Sequence, residues 1–169
     1  NTAWEHNQIA LLEFENAKDC WVKNVTSFAS PLSPASGLGA GKHLQSSGLR
    51  IMKSKRITVS NSSLEKAQNR GGGGNGYLFE VRQSSEILFR DCVGSSGRHN
   101  FIQNWGFGAT GNVWLRVHSS KGEAVPAPLL DVGGLGYSEF HHSLATANLI
   151  DQSTLNDGWA AVNRGNYSS

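Results

Sequence analysis

Ala17-Lys18-Asp19-Cys20-Trp21-Val22-Lys23-Asn24-Val25 is the first copy of a pattern that recurs along the chain. The second copy is Ser54-Lys55-Arg56-Ile57-Thr58-Val59-Ser60-Asn61-Ser62, and the third is Ser84-Ser85-Glu86-Ile87-Leu88-Phe89-Arg90-Asp91-Cys92. Thr110-Gly111-Asn112-Val113-Trp114-Leu115-Arg116-Val117-His118 reads as the fourth. Each begins with a small residue. Three positions on stands Cys20, Ile57, Ile87 or Val113; two further, Val22, Val59, Phe89 or Leu115; two further again, Asn24, Asn61, Asp91 or Val117. Apolar residues at every second position mark a strand with one buried face.

Upstream of each copy a second alternating pair recurs: Leu12 and Phe14, Leu49 and Ile51, Phe79 and Val81, and less cleanly Phe101 and Ile102. Each unit thus holds two short strands joined by a tight turn. The copies are 37, 30 and 26 residues apart, and a weaker fifth unit runs through 147–151 to 159–162. Such short strands cannot bury an apolar face alone, but units stacked in register can. The expectation is an all-β parallel β-helix, a solenoid of about five coils. It forms one domain over 1–169, as a piece of a longer solenoid. Its first inward column would be Cys20, Ile57, Ile87 and Val113, and its second Val22, Val59, Phe89 and Leu115. Asn24 and Asn61 would sit at a corner, where Asn tolerates left-handed backbone.

Composition agrees. Charged residues are 17% and glycines number 20 of 169, a mix unsuited to long helices. The formal net charge of +2 excludes a strongly basic nucleic-acid binder. No apolar run reaches the length of a membrane span. Two cysteines are too few for a disulfide scaffold or a thiolate metal site. Cys92 matches Val25 in its repeat and not Cys20, so the two lie two coils apart and are expected as free thiols. Asn1 to Ala10 is the candidate cap of one end, and further chain or another subunit is expected at the other.

The lines "LLEFENAKDCWVKNVTSF" and "LRIMKSKRITVSNSS" resemble the coils of right-handed parallel β-helix proteins of the pectin-lyase-like superfamily. "GRHNF", "TGNVWLRVHSS", "HHSLATANLIDQS" and "NDGWAAVNRGNYSS" resemble a bacterial-type subgroup of it that has no assigned function. The resemblance implies the fold. For chemistry it leaves lyases, hydrolases, epimerases, adhesins and phage fibres open.

Long loops are expected at 29–47, 64–76 and 119–136, all leaving from one corner, with a short one at 95–99. Insertions on one edge of a solenoid often build its binding face. Gly71 to Gly74 lack the Lys-Ser/Thr ending of a phosphate loop and read as a flexible loop. The loops carry His43, Arg70, Arg98 and His99, and His141 and His142 follow the last of them. Arg98-His99 precedes the fourth coil and His141-His142 the fifth, so stacking is expected to bring one of the two, not both, close to Arg98 or His99.

An imidazole beside a guanidinium suits elimination on an acidic polysaccharide. Arginine pairs with the sugar carboxylate and neutral histidine removes the adjacent ring proton. The candidate catalytic residues are Arg98, His99, His141 and Asp157; the candidate substrate-binding residues are His43, Arg70, Trp159 and Arg164. Asp157 pairs with Asp131 or Asp151 in the alternative of a glycoside hydrolase, which needs two carboxylates. No metal or cofactor is expected; calcium could bind carboxylates, but no Asp-rich calcium loop is present. Glu13, Arg50 and Glu80 share a column and read as a charge ladder. Trp21, Thr58, Leu88 and Trp114 would form an outward column, beside Lys23, Ser60, Arg90 and Arg116.

The expected function is that of an extracellular, carbohydrate-active β-helix with a polysaccharide as partner, a lyase if catalytic. A non-catalytic adhesin, fibre or surface-structure module is the alternative. Homo-oligomerisation through the solenoid ends is the other expected partnership.

Overall fold

A computed structural model describes residues 8–71, 73–123, 136–141 and 144–161. The alternating pattern does form strands, and they stack coil on coil. The first coil holds β1 (Ala10–Glu15) and β2 (Lys18–Lys23); the second holds β3 (Ser47–Met52), β4 (Lys55–Ser60) and β5 (Ser63–Glu65). The third holds β6 (Tyr77–Arg82), β7 (Leu88–Arg90) and β8 (Val93–Ser95), and the fourth β9 (His99–Asn104), β10 (Val113–Leu115) and β11 (His118–Ser120). The fifth holds β12 (Ser138–Phe140), β13 (Leu149–Asp151) and β14 (Thr154–Leu155), and β15 (Trp159–Ala161) opens the next turn.

Three parallel sheets result, in the orders β1-β3-β6-β9-β12-β15, β2-β4-β7-β10-β13 and β5-β8-β11-β14. The chain is therefore an all-β parallel solenoid. The third sheet corrects the expected two strands per unit. Its strands are too short for a visible period: β5, β8 and β11 have three residues each. The loops expected at 64–76 and 119–136 begin inside β5 and β11, and insertions also leave the first sheet, at 105–112. No helix among the described residues is long and apolar enough to cross a membrane.

The inward columns hold for three coils. Cys20 pairs with Ile57, Val22 with Val59, and Val59 with Phe89. At the fourth coil the expected register is one residue off. Phe89 pairs with Trp114, not Leu115, and Trp114 pairs with Ile150. Trp114 is fully buried, so it is a core residue and not the end of an outward Trp21 column. Val113 takes the outward place, between Leu88 and Leu149. The upstream pair shifts likewise: Phe79 meets Phe101, and Val81 meets Gln103 instead of Ile102. The physical reason lies in volume. Trp114 stacks on Phe89 at 5.9 Å and meets Trp159 edge-on at 5.2 Å, filling space that Leu115 would leave empty. Phe79 stacks on Phe101 at 4.9 Å, completing an aromatic column through the core.

Corners recur at fixed positions. Asn24, Asn61, Asp91, Arg116 and Gln152 all have positive φ, from 48 to 60°. Each of the first four donates its backbone N–H to the following coil, Asn61 to Arg90 O at 3.0 Å for example, so the ladder continues through the bend. This offsets the cost of left-handed backbone at non-glycine residues. The serines opening the second and third repeats have their own task. Ser54 Oγ donates to Met52 O at 2.6 Å and accepts Ala17 N–H at 3.0 Å, and Ser84 repeats the arrangement one coil on. The charge ladder is present too: Arg50 bridges Glu13 at 2.9 Å and Glu80 at 2.8 Å. Cys20 and Cys92 are free thiols, Cys92 buried in the third coil. The proposed cap at Asn1 to Ala10 lies mostly outside the described residues.

Candidate functional site

Stacking places β12 beside β9, with Glu139 opposite Ile102, and His141 donates its backbone N–H to Gln103 O at 2.8 Å. Glu139 and His141 are two apart on an extended segment and so share a side. His99 joins them because two consecutive residues after it turn into the solenoid. Asn100 Nδ2 donates to Ser119 Oγ at 3.1 Å, and Phe101 enters the aromatic column. His99 is thereby left on the side of Glu139.

The Glu139 carboxylate lies between two imidazoles. His141 Nδ1 contacts Glu139 Oε1 directly, and His99 Nε2 is 3.9 Å from the same oxygen. The two rings are 5.9 Å apart. His99 Nδ1 is 2.5 Å from the Tyr137 carbonyl oxygen. A carbonyl only accepts, so Nδ1 of His99 carries the hydrogen and Nε2 faces the carboxylate. A carboxylate likewise only accepts, so a hydrogen on Nδ1 of His141 would face Glu139 and leave Nε2 as the basic nitrogen. A carboxylate that fixes the tautomer of a histidine is the arrangement a general base needs. Tyr77 packs on His99 at 5.2 Å, and Arg98 places its guanidinium carbon 6.0 Å from the Tyr77 ring centre. Arg98 Nη1 donates to Gly71 O at 3.0 Å. His99 is 4% exposed and His141 8%, so the cluster meets solvent only at its margin.

The other candidates disperse. Asp157 Oδ2 accepts from Asn100 Nδ2 at 2.7 Å and from Gly122 N at 2.8 Å, which ties the loop after β11 to the solenoid. Trp159 packs on Trp114 and Phe140 in the core. His43 lies near the first coils, bonded to Ser27 Oγ at 3.2 Å, and lines a cavity of about 310 Å³ with Ile9, Leu11 and Ser47. Burial, then the charge of Lys66, holds its imidazole below the ordinary value. Arg70 lies beside Arg98: a Cβ on Gly76, whose φ is +75°, would come within 3.0 Å of both. Arg164, His142 and Asp131 lie outside the described residues. Among the described residues no group of three or more His, Cys, Asp or Glu has the geometry to hold a metal ion.

Glu139 is the member that sequence reasoning missed. Its signal was available: Glu139-Phe140-His141 places an acid and a base on one side of a strand whose intervening Phe140 faces the core. Compared with family models, curated proteins and solved structures, the chain has no match.

Proposed function

We propose that this chain is part of an extracellular, carbohydrate-active β-solenoid that cleaves an acidic polysaccharide by elimination. The observation that carries the reading is Glu139 set between His99 and His141, with Arg98 adjoining. In this reading Arg98 pairs with the carboxylate of a uronate and lowers the cost of charge developing beside it. His141, its Nδ1–H held by Glu139, takes the adjacent ring proton at Nε2. The electron pair released forms a carbon–carbon double bond, the bond to the glycosidic oxygen breaks, and that oxygen takes a proton from an imidazolium. Elimination is one of the chemistries that the resemblance to pectin-lyase-like coils leaves open.

The burial of His99 and His141 favours a second reading, a non-catalytic adhesin, fibre or surface module in which the cluster is a packing device. The test separates them. The purified protein is incubated with pectate, alginate and glycosaminoglycans, and unsaturated uronide is followed by absorbance. The expected result is product from one of these and its loss in His141→Ala and Glu139→Gln, with circular dichroism unchanged. Absence of product on every substrate, together with no retention on the immobilised polymers, overturns the reading.

A further inference from the structure

A second guanidinium adjoins the cluster, and it is already occupied. Arg70 Nη1 donates to Glu123 Oε2 at 2.6 Å, across 53 residues of chain. The partners are unequal: the Arg70 side chain is 15% exposed and that of Glu123 62%. Arg70 Nε is buried without a hydrogen-bond partner, so the fork of this arginine is not filled. The main chain holds Glu123 in place, its N–H donating to Gly97 O at 2.9 Å, next to Arg98. Asp157 secures the preceding Gly122. Arg70 and Arg98 pack closely about Gly76, where a Cβ would sit 3.0 Å from both, tighter than ordinary contact, and φ is +75°. Glu123, Arg70, Arg98, Tyr77 and His99 thus form a chain of neighbouring groups leading to Glu139.

We infer that Arg70 is a carboxylate subsite for the acidic polysaccharide, and that Glu123 fills it in the free protein as an internal stand-in for a sugar carboxylate. This rests on the proposed substrate class. An exposed carboxylate on a partly exposed arginine is weakly held and can be displaced. A polyuronate is suited to displace it. Once one carboxylate reaches Arg98, the next is delivered to Arg70 at high effective concentration. Neutral glycans have nothing to exchange with Glu123.

Calorimetric titration with short oligogalacturonates and oligoalginates, and with their carboxyl-reduced forms, tests this. Glu123→Gln should bind one of the acidic oligomers about tenfold more tightly than the unaltered protein, and the reduced oligomers should gain nothing. Arg70→Lys added to Glu123→Gln should remove the gain, because an ammonium lacks the fork. In the unaltered protein the Arg70 Nε–H resonance should shift as oligomer is added, a readout independent of any variant's folding. If the unaltered protein binds but Glu123→Gln binds no tighter, or keeps its gain with Arg70→Lys, the subsite is wrong and the substrate class survives. If no acidic oligomer binds either protein, both fall together.

Discussion

Cys92 and Glu80 illustrate how the same burial acts on different chemistries. Burial pushes the Cys92 thiol up to about 11, and its sulfur is taken up by Arg90 O at 3.4 Å. Such a thiol is almost wholly protonated near neutrality and inert as a nucleophile. A maleimide should therefore label Cys20, which is only partly buried, and leave Cys92 untouched until denaturant is added. Two labels per unfolded, unreduced chain are expected by mass spectrometry; a Cys20–Cys92 linked peptide would contradict the stacking. Glu80 is buried but fully engaged, accepting from Arg50 Nε at 2.8 Å, Arg82 Nε at 2.5 Å and Asn104 Nδ2 at 2.6 Å. Glu80→Ala leaves the buried Arg50 with Glu13 alone and strips Arg82 and Asn104 of their acceptor, and should cost about 3 kcal/mol in urea unfolding. A loss below ~1 kcal/mol would mean that solvent replaces the carboxylate. The ladder was legible in the spacing of Glu13, Arg50 and Glu80, since partners 37 and 30 residues apart match the coil period. Its burial was not, because nothing local indicates what covers the outer side of a sheet.

The strands β7 and β10 hold the register question. Both are three residues long, and each centres on one inward side chain, Phe89 or Trp114, with a second buried residue, Ile87 or Asn112, just before the strand. Val113, Trp114 and Leu115 are all apolar, so alternation alone gives no preference between one inward residue and two. Volume decides it, with Trp114 closing the aromatic column between Phe89 and Trp159. Trp114→Ala should then destabilise by roughly 3–5 kcal/mol, as large-to-small core changes do. Trp21→Ala, on a residue 73% exposed, should stay within about 0.5 kcal/mol. Chemical denaturation of the two variants checks this, and the reverse order would restore an outward Trp114. Asn24 and Asn61 were readable as corner residues because a short polar side chain tolerates left-handed backbone, and Asp91 stands in their column. Arg116 and Gln152 were not, because there the ladder of the next coil imposes the conformation.

Stability in a solenoid is a sum of neighbour terms, so the ends are weaker than the middle. β3, β6 and β9 are buried along nearly their whole length, whereas β1 has four exposed residues among its six. Amide hydrogen exchange should accordingly be slowest in β3, β6 and β9 and fastest in β1 and β13, two of the strands that end the sheets, with exposed apolar residues such as Leu11 and Leu149. Uniform protection across all coils would show the chain unfolding as a single unit instead.

Repetition determined most of this protein at the level of sequence. A period-2 pattern returning every 26 to 37 residues can satisfy its backbone and bury its apolar face only by stacking in parallel, so Cys20 met Ile57 and Val59 met Phe89 as read. The same stacking set His141 5.9 Å from His99. Tertiary structure alone decided three things. It made the third sheet, whose strands are too short to carry a period. It chose Trp114 over Leu115, because packing volume and not polarity separates them. It brought Glu139 to His99, because Asn100 and Phe101 both turn inward, and the length of one strand cannot reveal which residues its neighbours across the coil will draw into the core.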